Sequence, residues 1–467
     1  MEFNINIKQL RKDIWESIAG TELDFTTGSI GRAVFLLSVP MVLEMVMESI
    51  FAIVDIFFVS KLGSEAVATV GITESLITIV YSIGSGLAVA TTALVARRTG
   101  EKRPEEASKV AFQAILTGIM VSFLIAVPGF LWSSDLIRLM GGSLEMQHGL
   151  SEYTRIMLGF NGIIIVLFII NAVLRSSGDA AMSLRVLVIA NIFNIVLDPL
   201  LIFGIGPFPE LGIKGAAIAT VTGRGIGILF QFFLLFRGKR RVRITLADIR
   251  IEPHTILQII KLSLGGIGQS LIATTSWVGM VRIIATFGSN VVAGYTIAIR
   301  IIIFGLLPSW GISNAASTLV GQNLGANQPD RAERSVWMTA RINMVILALI
   351  GLILALFPGT FIRLFILDPE VVLPGIQALR IISIGFLFYG LGMAMIQAFN
   401  GAGDTVTPTK AYFVCFWLIE IPLAWILSKT FGMGQTGVFI AIVIAETTMT
   451  ILALFLFRRG KWKLKKV

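Results

Sequence analysis

The sequence predicts an all-α integral membrane protein in which twelve transmembrane helices form two homologous bundles of six. Three observations lead to this fold class. Of the 467 residues, 55% are hydrophobic and only 14% are charged, whereas soluble domains carry about 25% charged residues. Apolar runs of roughly 20 residues, the length that a bilayer-spanning helix needs, recur along the chain. A single internal register also relates the two halves.

The apolar runs fix the twelve expected helices. They lie at 33–60, 66–96, 110–132, 153–174, 184–205, 213–236, 259–287, 292–321, 336–360, 374–398, 409–429 and 435–457. Strands of a membrane β-barrel would instead alternate in hydrophobicity over about ten residues. These runs are longer and apolar on every face, so they favour helices.

An internal sequence repeat indicates that the two halves are homologous. Residues 86–107, GLAVATTALVARRTGEKRPEEA, align without gaps to residues 311–332, GISNAASTLVGQNLGANQPDRA, 225 positions later. The same offset relates Gly63 to Gly288 and Gly178 to Gly403. In a chain this hydrophobic, a duplicated bundle favours a transporter, because two pseudo-symmetric bundles can rock about a central site.

Charge placement predicts the topology and the division of the chain. Lys and Arg concentrate in 97–103, 237–250 and 458–466, while the loops on the other side carry few. By the positive-inside rule both termini are then cytoplasmic, in a multi-pass protein. The predicted order is a cytoplasmic N-terminal segment at 1–32, an N-lobe at 33–236, a cytoplasmic linker at 237–258, a C-lobe at 259–457 and a basic cytoplasmic tail at 458–467. Within the first segment, 7–20 has the pattern of an amphipathic helix lying on the membrane surface.

Several function classes are disfavoured. The net charge of +10 collects in loops that fix topology, which argues against a nucleic-acid partner. The single cysteine, Cys415, rules out a disulfide within one chain, and His148 and His254 have no third ligand for zinc. The GAGD sequence at 401–404 matches a motif of intramembrane aspartyl proteases, but its position favours a turn after a helix. No phosphate-binding glycine loop is present. We expect neither an enzyme nor a cofactor.

The acidic residues of the first predicted helix mark a candidate site. Glu44, Glu48 and Asp55 are spaced by four and seven residues, which places them within an arc of about 40° on one helical face. Ionisable residues inside a membrane are costly and usually functional.

The fifth and sixth helices add further oxygen ligands. Asn194 lies one turn before Asp198, which precedes Pro199, and Thr220 and Thr222 offer hydroxyl groups. Carboxylates, an amide oxygen and a hydroxyl suit a desolvated Na⁺. They equally suit a proton relay, since neighbouring carboxylates favour proton uptake. The residues alone leave H⁺ and Na⁺ open as the ion, with Na⁺ binding possible at Asp55, Asn194, Asp198 and Thr220.

The predicted substrate contacts lie on the same helix as the first acids. Glu44 and Glu48 can attract a cation, and the thioethers of Met41 and Met45 suit a cavity for apolar cations. The same methionines equally suit ordinary packing. In the second half, Glu420 and Glu446 are the intramembrane acids, and Met280 stands where the repeat places an equivalent of Asp55.

Several phrases in this order resemble the multidrug and toxic compound extrusion (MATE) family. They are AIVDIFFVSKLGSEAVATVGI from the first helix, ALVARRTGEKRPEEA at the end of the second, SSGD at 176–179 and NIVLDPLLIFG closing the fifth. The resemblance covers nearly the whole chain. It implies a V-shaped molecule of two lobes that exports organic, often cationic compounds in exchange for H⁺ or Na⁺ by alternating access. Asp55 and Asp198 match the essential acids of the DinF-like branch, with Asn194 and Thr220 as further ligands.

The predicted function is therefore secondary active antiport of small organic cations and other amphipathic drugs across the cell membrane. The expected protein is a monomer whose partners, besides its substrates, are membrane lipids. The alternative is a flippase of the same superfamily for lipid-linked precursors, whose cavity would be basic for a pyrophosphate head group. A scaffold or channel is a further, less favoured possibility.

Overall fold

The computed structural model describes residues 7–20, 23–237 and 241–467, and in these ranges the chain forms helices and no β-strand. This confirms the all-α class. Residues 238–240 of the predicted linker, which include the basic Lys239 and Arg240, lie outside the described residues. In chain order, helices α1 to α18 are Ile7–Ala19, Ile30–Val59, Ser64–Gly100, Pro104–Leu131, Ser133–Leu139, Ser151–Gly159, Asn161–Ser176, Ala180–Phe203, Ile213–Arg237, Pro253–Ala285, Ser289–Gly325, Pro329–Leu356, Pro358–Arg363, Pro369–Ile384, Phe386–Ala402, Val406–Tyr412, Ile421–Trp425 and Gln435–Arg458.

The helices lie at the predicted membrane spans. In the described part of the chain, ten helical segments are long and apolar enough to cross a membrane, and the bent pair α14–α15 makes an eleventh if counted as one span. Helix α2, 30 residues long, occupies the first predicted span and is not among those eleven. With α2 included, the helices account for all twelve predicted positions. The chain is thus a multi-pass membrane protein.

One predicted span differs in form. The apolar run at 374–398 predicts a single helix, but α14 and α15 meet at an angle of 55°. The break falls at Gly385, where an added Cβ would approach the ring of Tyr389 to 2.8 Å. The glycine therefore leaves the space that the tyrosine ring occupies.

The internal repeat is visible in the helix boundaries. Helices α11 and α12 begin and end 225 positions after α3 and α4. The turns repeat as well, because Lys102 and Asn327, which are 225 positions apart, both have left-handed φ angles, of 58° and 56°. The two halves therefore share local conformation even in a left-handed turn where neither half has glycine.

The chain divides into two compact units, one formed by Met1–Leu23 with Leu43–Ile267 and the other by Asp24–Val42 with Gly268–Val467. The division falls within α2 and α10, so each of these helices contributes residues to both units.

In the first unit, the most extensive helix contacts join α8 to α9 and α3 to α7. Glycines permit the first of these contacts. A Cβ at Gly215 would lie 2.3 Å from the carbonyl oxygen of Leu201, so the two backbones can approach closely only because the side chain is missing. Residues after 240 pack on α4, where Gln113 donates to the carbonyl of Arg250 at 2.5 Å and Ser108 accepts from the amide of Arg243.

In the second unit, α11, α12, α14, α15 and α18 surround an apolar core. The C-terminal residues join it, because Trp462 is fully buried and stacks on Phe457 with ring centroids 5.0 Å apart. Next to it, Lys463 pairs with Glu333 at 2.6 Å. This hydrogen bond raises the pKa of the Lys463 ammonium.

The GAGD sequence forms the expected turn. Gly403 adopts a left-handed φ of 82° and ends α15. The carboxylate of Asp404 then accepts a hydrogen bond from Thr407 at 2.7 Å and pairs with Lys465 at 3.3 Å. Its polar partners are those of a helix-ending turn, as predicted.

Candidate functional site

The centre of the candidate site lies on α8. Asn194 and Asp198 are one helical turn apart and have 1% and 0% of their surface exposed. The Asn194 amide donates to Oδ1 of Asp198 at 3.3 Å. Pro199 lacks the amide hydrogen that would bind the carbonyl of Ile195, so the backbone carries a loosened acceptor beside the carboxylate.

Helix α9 adds Thr220 to this pair. The same Asn194 amide donates to Oγ1 of Thr220, again at 3.3 Å. A Cβ at Gly223 would lie 2.8 Å from the carbonyl oxygen of Ala190 and 3.0 Å from the backbone nitrogen of Asn194. The glycine thus allows the close approach of α9 that brings Thr220 to Asn194. Thr222, the other hydroxyl considered from the sequence, is exposed.

Helix α2 brings Asp55 to the same cluster. Asp55 is 7% exposed, and Thr220 lies beside its carboxylate. Asn191 on α8 donates to the carbonyl of Met47 at 2.9 Å, which ties the two helices together. All four predicted ion-coupling residues therefore lie together in the first unit.

Three oxygens of this cluster lack the partners that buried oxygens normally have. Among the described residues, Oδ1 of Asp55, Oδ1 of Asn194 and Oδ2 of Asp198 are buried without a hydrogen-bond partner. Such oxygens are costly in a membrane unless a proton or a cation satisfies them. Among the residues that the structure describes, no group of three or more His, Cys, Asp or Glu could hold a metal ion.

The two remaining acids of α2 are ion-paired. Glu48 accepts from Nη2 of Arg224 at 3.2 Å, with 37% of the glutamate side chain and 6% of the arginine side chain exposed. Glu44, only 2% exposed, accepts from Nη1 of Arg175 at 2.7 Å. No sequence pattern singles out Arg175, which lies 131 positions from its partner.

Two polar residues of α3 lie near these acids and were not among the predicted site residues. Glu74 on α3 is exposed and is a like charge that acts on Asp55. The hydroxyl of Tyr81 lies beside the guanidinium of Arg224. The two residues are seven positions apart on α3 and so share a helical face, but only packing reveals that this face lies near the charges of α2 and α9.

The predicted substrate-contact methionines have different surroundings. Met41 is 1% exposed and belongs to the second unit, where its backbone meets Gly311. Met45 is half-buried and belongs to the first unit. The two therefore do not form one continuous patch within a single unit.

The second unit carries its acids in a different arrangement. Glu420 is 7% exposed and accepts from Oγ of Ser276 at 2.7 Å. Met280, at the repeat equivalent of Asp55, is 1% exposed in the apolar core. The two units are alike in local conformation, but they bury different polar and charged side chains.

A helical, multi-pass membrane protein built of two related bundles, one of which buries an acid–amide–hydroxyl cluster, has the features of a membrane transporter. The chain belongs to the MatE family, because the family model MatE matches residues 40–200 and 267–426. The protein is therefore a transporter and not an enzyme.

Relatives and solved structures agree with this assignment. The chain is 25% identical over 446 residues to a probable multidrug resistance protein NorM of Thermotoga maritima, covering 94% of each chain. It is 26% identical over 431 residues to an FAD transporter of Shewanella oneidensis, covering 92% of this chain and 95% of the other. Its structure is similar to that of a MOP superfamily transporter from Pyrococcus furiosus, with a TM-score of 0.87, 26% identity and coverage of 95% and 98%.

Proposed function

We propose that the protein exports small organic compounds, cations among them, in exchange for H⁺ or Na⁺ by alternating access. The observation that carries this proposal is the cluster of Asp55, Asn194, Asp198 and Thr220, with its three unpartnered buried oxygens. Membership of the MatE family makes the protein a transporter. The cluster is the reason to propose that transport is coupled to an ion.

The cluster supports either coupling ion. Na⁺ prefers oxygen ligands, and two carboxylates, an amide oxygen and a hydroxyl are ligands of that kind. A proton would instead neutralise one carboxylate and let it donate to its neighbour. In both cases the ion satisfies buried oxygens in the state that binds it, which gives it a preference for one conformation.

The substrate proposal follows from the charges and from the relatives. Curated relatives include multidrug resistance proteins and multidrug export proteins of Staphylococcus. Glu48 and Glu74 are acids of the first unit that are not fully buried, so they can meet an organic cation. Glu44 is buried in an ion pair with Arg175, and this ion pair holds α2 against α7.

A flippase for lipid-linked precursors is the alternative. Such a cargo needs free basic groups for its pyrophosphate head. The guanidinium groups of Arg175 and Arg224 each bind a carboxylate, which argues against that role. The FAD transporter among the relatives shows that anionic cargo occurs in similar chains, so cargo charge has to be tested directly.

We further propose that the chain acts as a monomer in the cell membrane, with both termini in the cytoplasm. The basic loops and the order N-lobe, linker and C-lobe support this topology. The amphipathic pattern of α1, whose Trp15 is 71% exposed, suits contact with lipid at the cytoplasmic surface.

The test is ethidium efflux from proteoliposomes under an imposed Na⁺ gradient and, separately, under a pH gradient. We expect one gradient to drive ethidium movement, and we expect Asp198→Asn to abolish it. Thr222→Ala is the matched control, since Thr222 is exposed on the helix that carries Thr220. Ethidium movement that ignores both gradients would refute ion coupling.

A further inference from the structure

A buried guanidinium lies between two acids of the first unit. Arg224 Nη2 binds Glu48 at 3.2 Å, and the guanidinium carbon is 4.7 Å from the ring centroid of Phe51. Phe51 precedes Asp55 by four residues on α2, which is one helical turn or about 6 Å. Arg224 is therefore held at Glu48 and beside Phe51, and the carboxylate of Asp55 lies one turn beyond Phe51.

Arg224 and Asp55 each have a side-chain atom that lacks a hydrogen-bond partner. Among the described residues, Nη1 of Arg224 is buried without a hydrogen-bond partner, and so is Oδ1 of Asp55. Asp55 is among the charges that act on Arg224. A buried unpaired guanidinium donor and a buried unpaired carboxylate oxygen attract one another strongly where water is scarce. The guanidinium of Arg224 therefore has two alternative carboxylate partners, Glu48 and Asp55.

We propose that Arg224 is a tethered cation that exchanges between Glu48 and Asp55, an inference that rests on the proposed function. When an organic cation binds Glu48, the guanidinium leaves it and pairs with Asp55. The coupling ion then leaves Asp55. One cation enters and one leaves, so the charge of the site is unchanged. Substrate and coupling ion exclude one another although they bind carboxylates about two turns apart.

The groups around the guanidinium suit this exchange. The hydroxyl of Tyr81 lies beside it, Glu74 acts on Asp55 from α3, and Phe51 offers an aromatic face along the path. An arginine can slide on such a face while keeping part of its cation–π attraction. Glu48, at 37% exposure, is also open enough to accept an occupant from outside.

The second ion pair of the unit provides a contrast. Glu44 is 2% exposed and holds Arg175 at 2.7 Å, so its carboxylate is closed to a substrate. That pair is one turn from Glu48 on the same helix. Replacing it tests whether any buried ion pair of α2 would have the same effect.

The experiment is a double-mutant cycle on the purified full-length protein with Glu48→Gln, Arg224→Gln and the double variant. Two quantities are measured separately. Ethidium affinity is obtained from fluorescence anisotropy without added coupling ion. Affinity for Na⁺ and for H⁺ is obtained without ethidium, from the dependence of thermal unfolding on their concentration. Size-exclusion chromatography confirms that each variant is folded and monodisperse.

The inference predicts a particular pattern of non-additivity. Glu48→Gln leaves Arg224 with only Asp55, so affinity for the coupling ion falls about tenfold or more. In the Arg224→Gln background the same Glu48→Gln change has no effect on the coupling ion, because no tethered cation is left to move. Arg224→Gln alone tightens ethidium binding about tenfold, since Glu48 no longer has a competitor. The control double variant Glu44→Gln/Arg175→Gln leaves both affinities within about twofold of wild type.

Three outcomes would overturn the inference. If Glu48→Gln lowers coupling-ion affinity equally in both backgrounds, Glu48 acts by simple attraction and Arg224 does not move. If Arg224→Gln fails to tighten ethidium binding, the guanidinium is not a competitor. In both cases the proposed function survives, provided that wild type binds ethidium and a coupling ion. If wild type binds neither, the proposed function fails and this inference fails with it.

Discussion

Gly223→Ala is the sharpest test of the geometry of the ion cluster, because it changes no polar group. The added Cβ would lie 2.8 Å from the carbonyl oxygen of Ala190 and 3.0 Å from the backbone nitrogen of Asn194. Both neighbours are backbone atoms of α8, so no side-chain rotation can relieve the contact. Ordinary contact needs about 3.4 Å or more, so α8 and α9 must separate by about 0.5 Å.

This separation acts directly on the cluster. The hydrogen bond between the Asn194 amide and Thr220 is already 3.3 Å long, and a further separation of about 0.5 Å exceeds the limit for a useful hydrogen bond. Because a misplacement of about 1 Å can cost a factor of about 100 in a preorganised site, we expect about tenfold weaker binding of the coupling ion. Folding should survive, since overpacking of this kind costs about 1–3 kcal/mol.

The assay is ion-driven ethidium efflux in proteoliposomes at several concentrations of the driving ion. The matched control is Gly225→Ala on the same helix, whose added Cβ would meet only Ile163 at 3.8 Å. We expect the concentration giving half-maximal efflux to rise about tenfold in Gly223→Ala and to stay unchanged in Gly225→Ala. A Gly223→Ala variant that matches the control would show that the Asn194–Thr220 contact is not needed for coupling.

Three further predictions follow from single side chains. Asp55→Asn and Asp198→Asn should each abolish coupled efflux at nearly normal expression, because the replacements are isosteric and remove only charge; normal transport by both variants would refute the site. Glu48→Gln should weaken transport of cationic substrates more than of neutral ones in a proteoliposome assay, and equal losses would assign Glu48 to coupling or structure instead of cation binding. Trp462→Ala should lower the free energy of unfolding by about 3–5 kcal/mol, as for other buried tryptophans, measured by thermal unfolding in detergent with the 71%-exposed Trp15 replaced by Ala as control. Equal stabilities of these two variants would contradict the packing of the C-terminal residues.

The fold class and much of the candidate cluster were accessible from the sequence. Helix positions follow from apolar runs because the membrane demands about 20 apolar residues for each span. The alignment of Asn194 with Asp198 follows from the helical period, which needs no tertiary information. The family likewise followed from the order of short phrases, and the match to MatE confirms it.

Tertiary structure decided how the charges are paired. The partners of Glu44 and Glu48 lie 131 and 176 positions away, and no local pattern relates them. Packing also selected Thr220 over Thr222, because only one face of α9 can approach α8 through Gly223. The bend at Gly385 and the burial of Trp462 similarly depend on contacts that form only when the helices pack. The period of a helix is a property of the local backbone, and the sequence by itself therefore determines which residues share a face. Which residues that face meets depends on the packing of whole helices, and only the tertiary structure decides it.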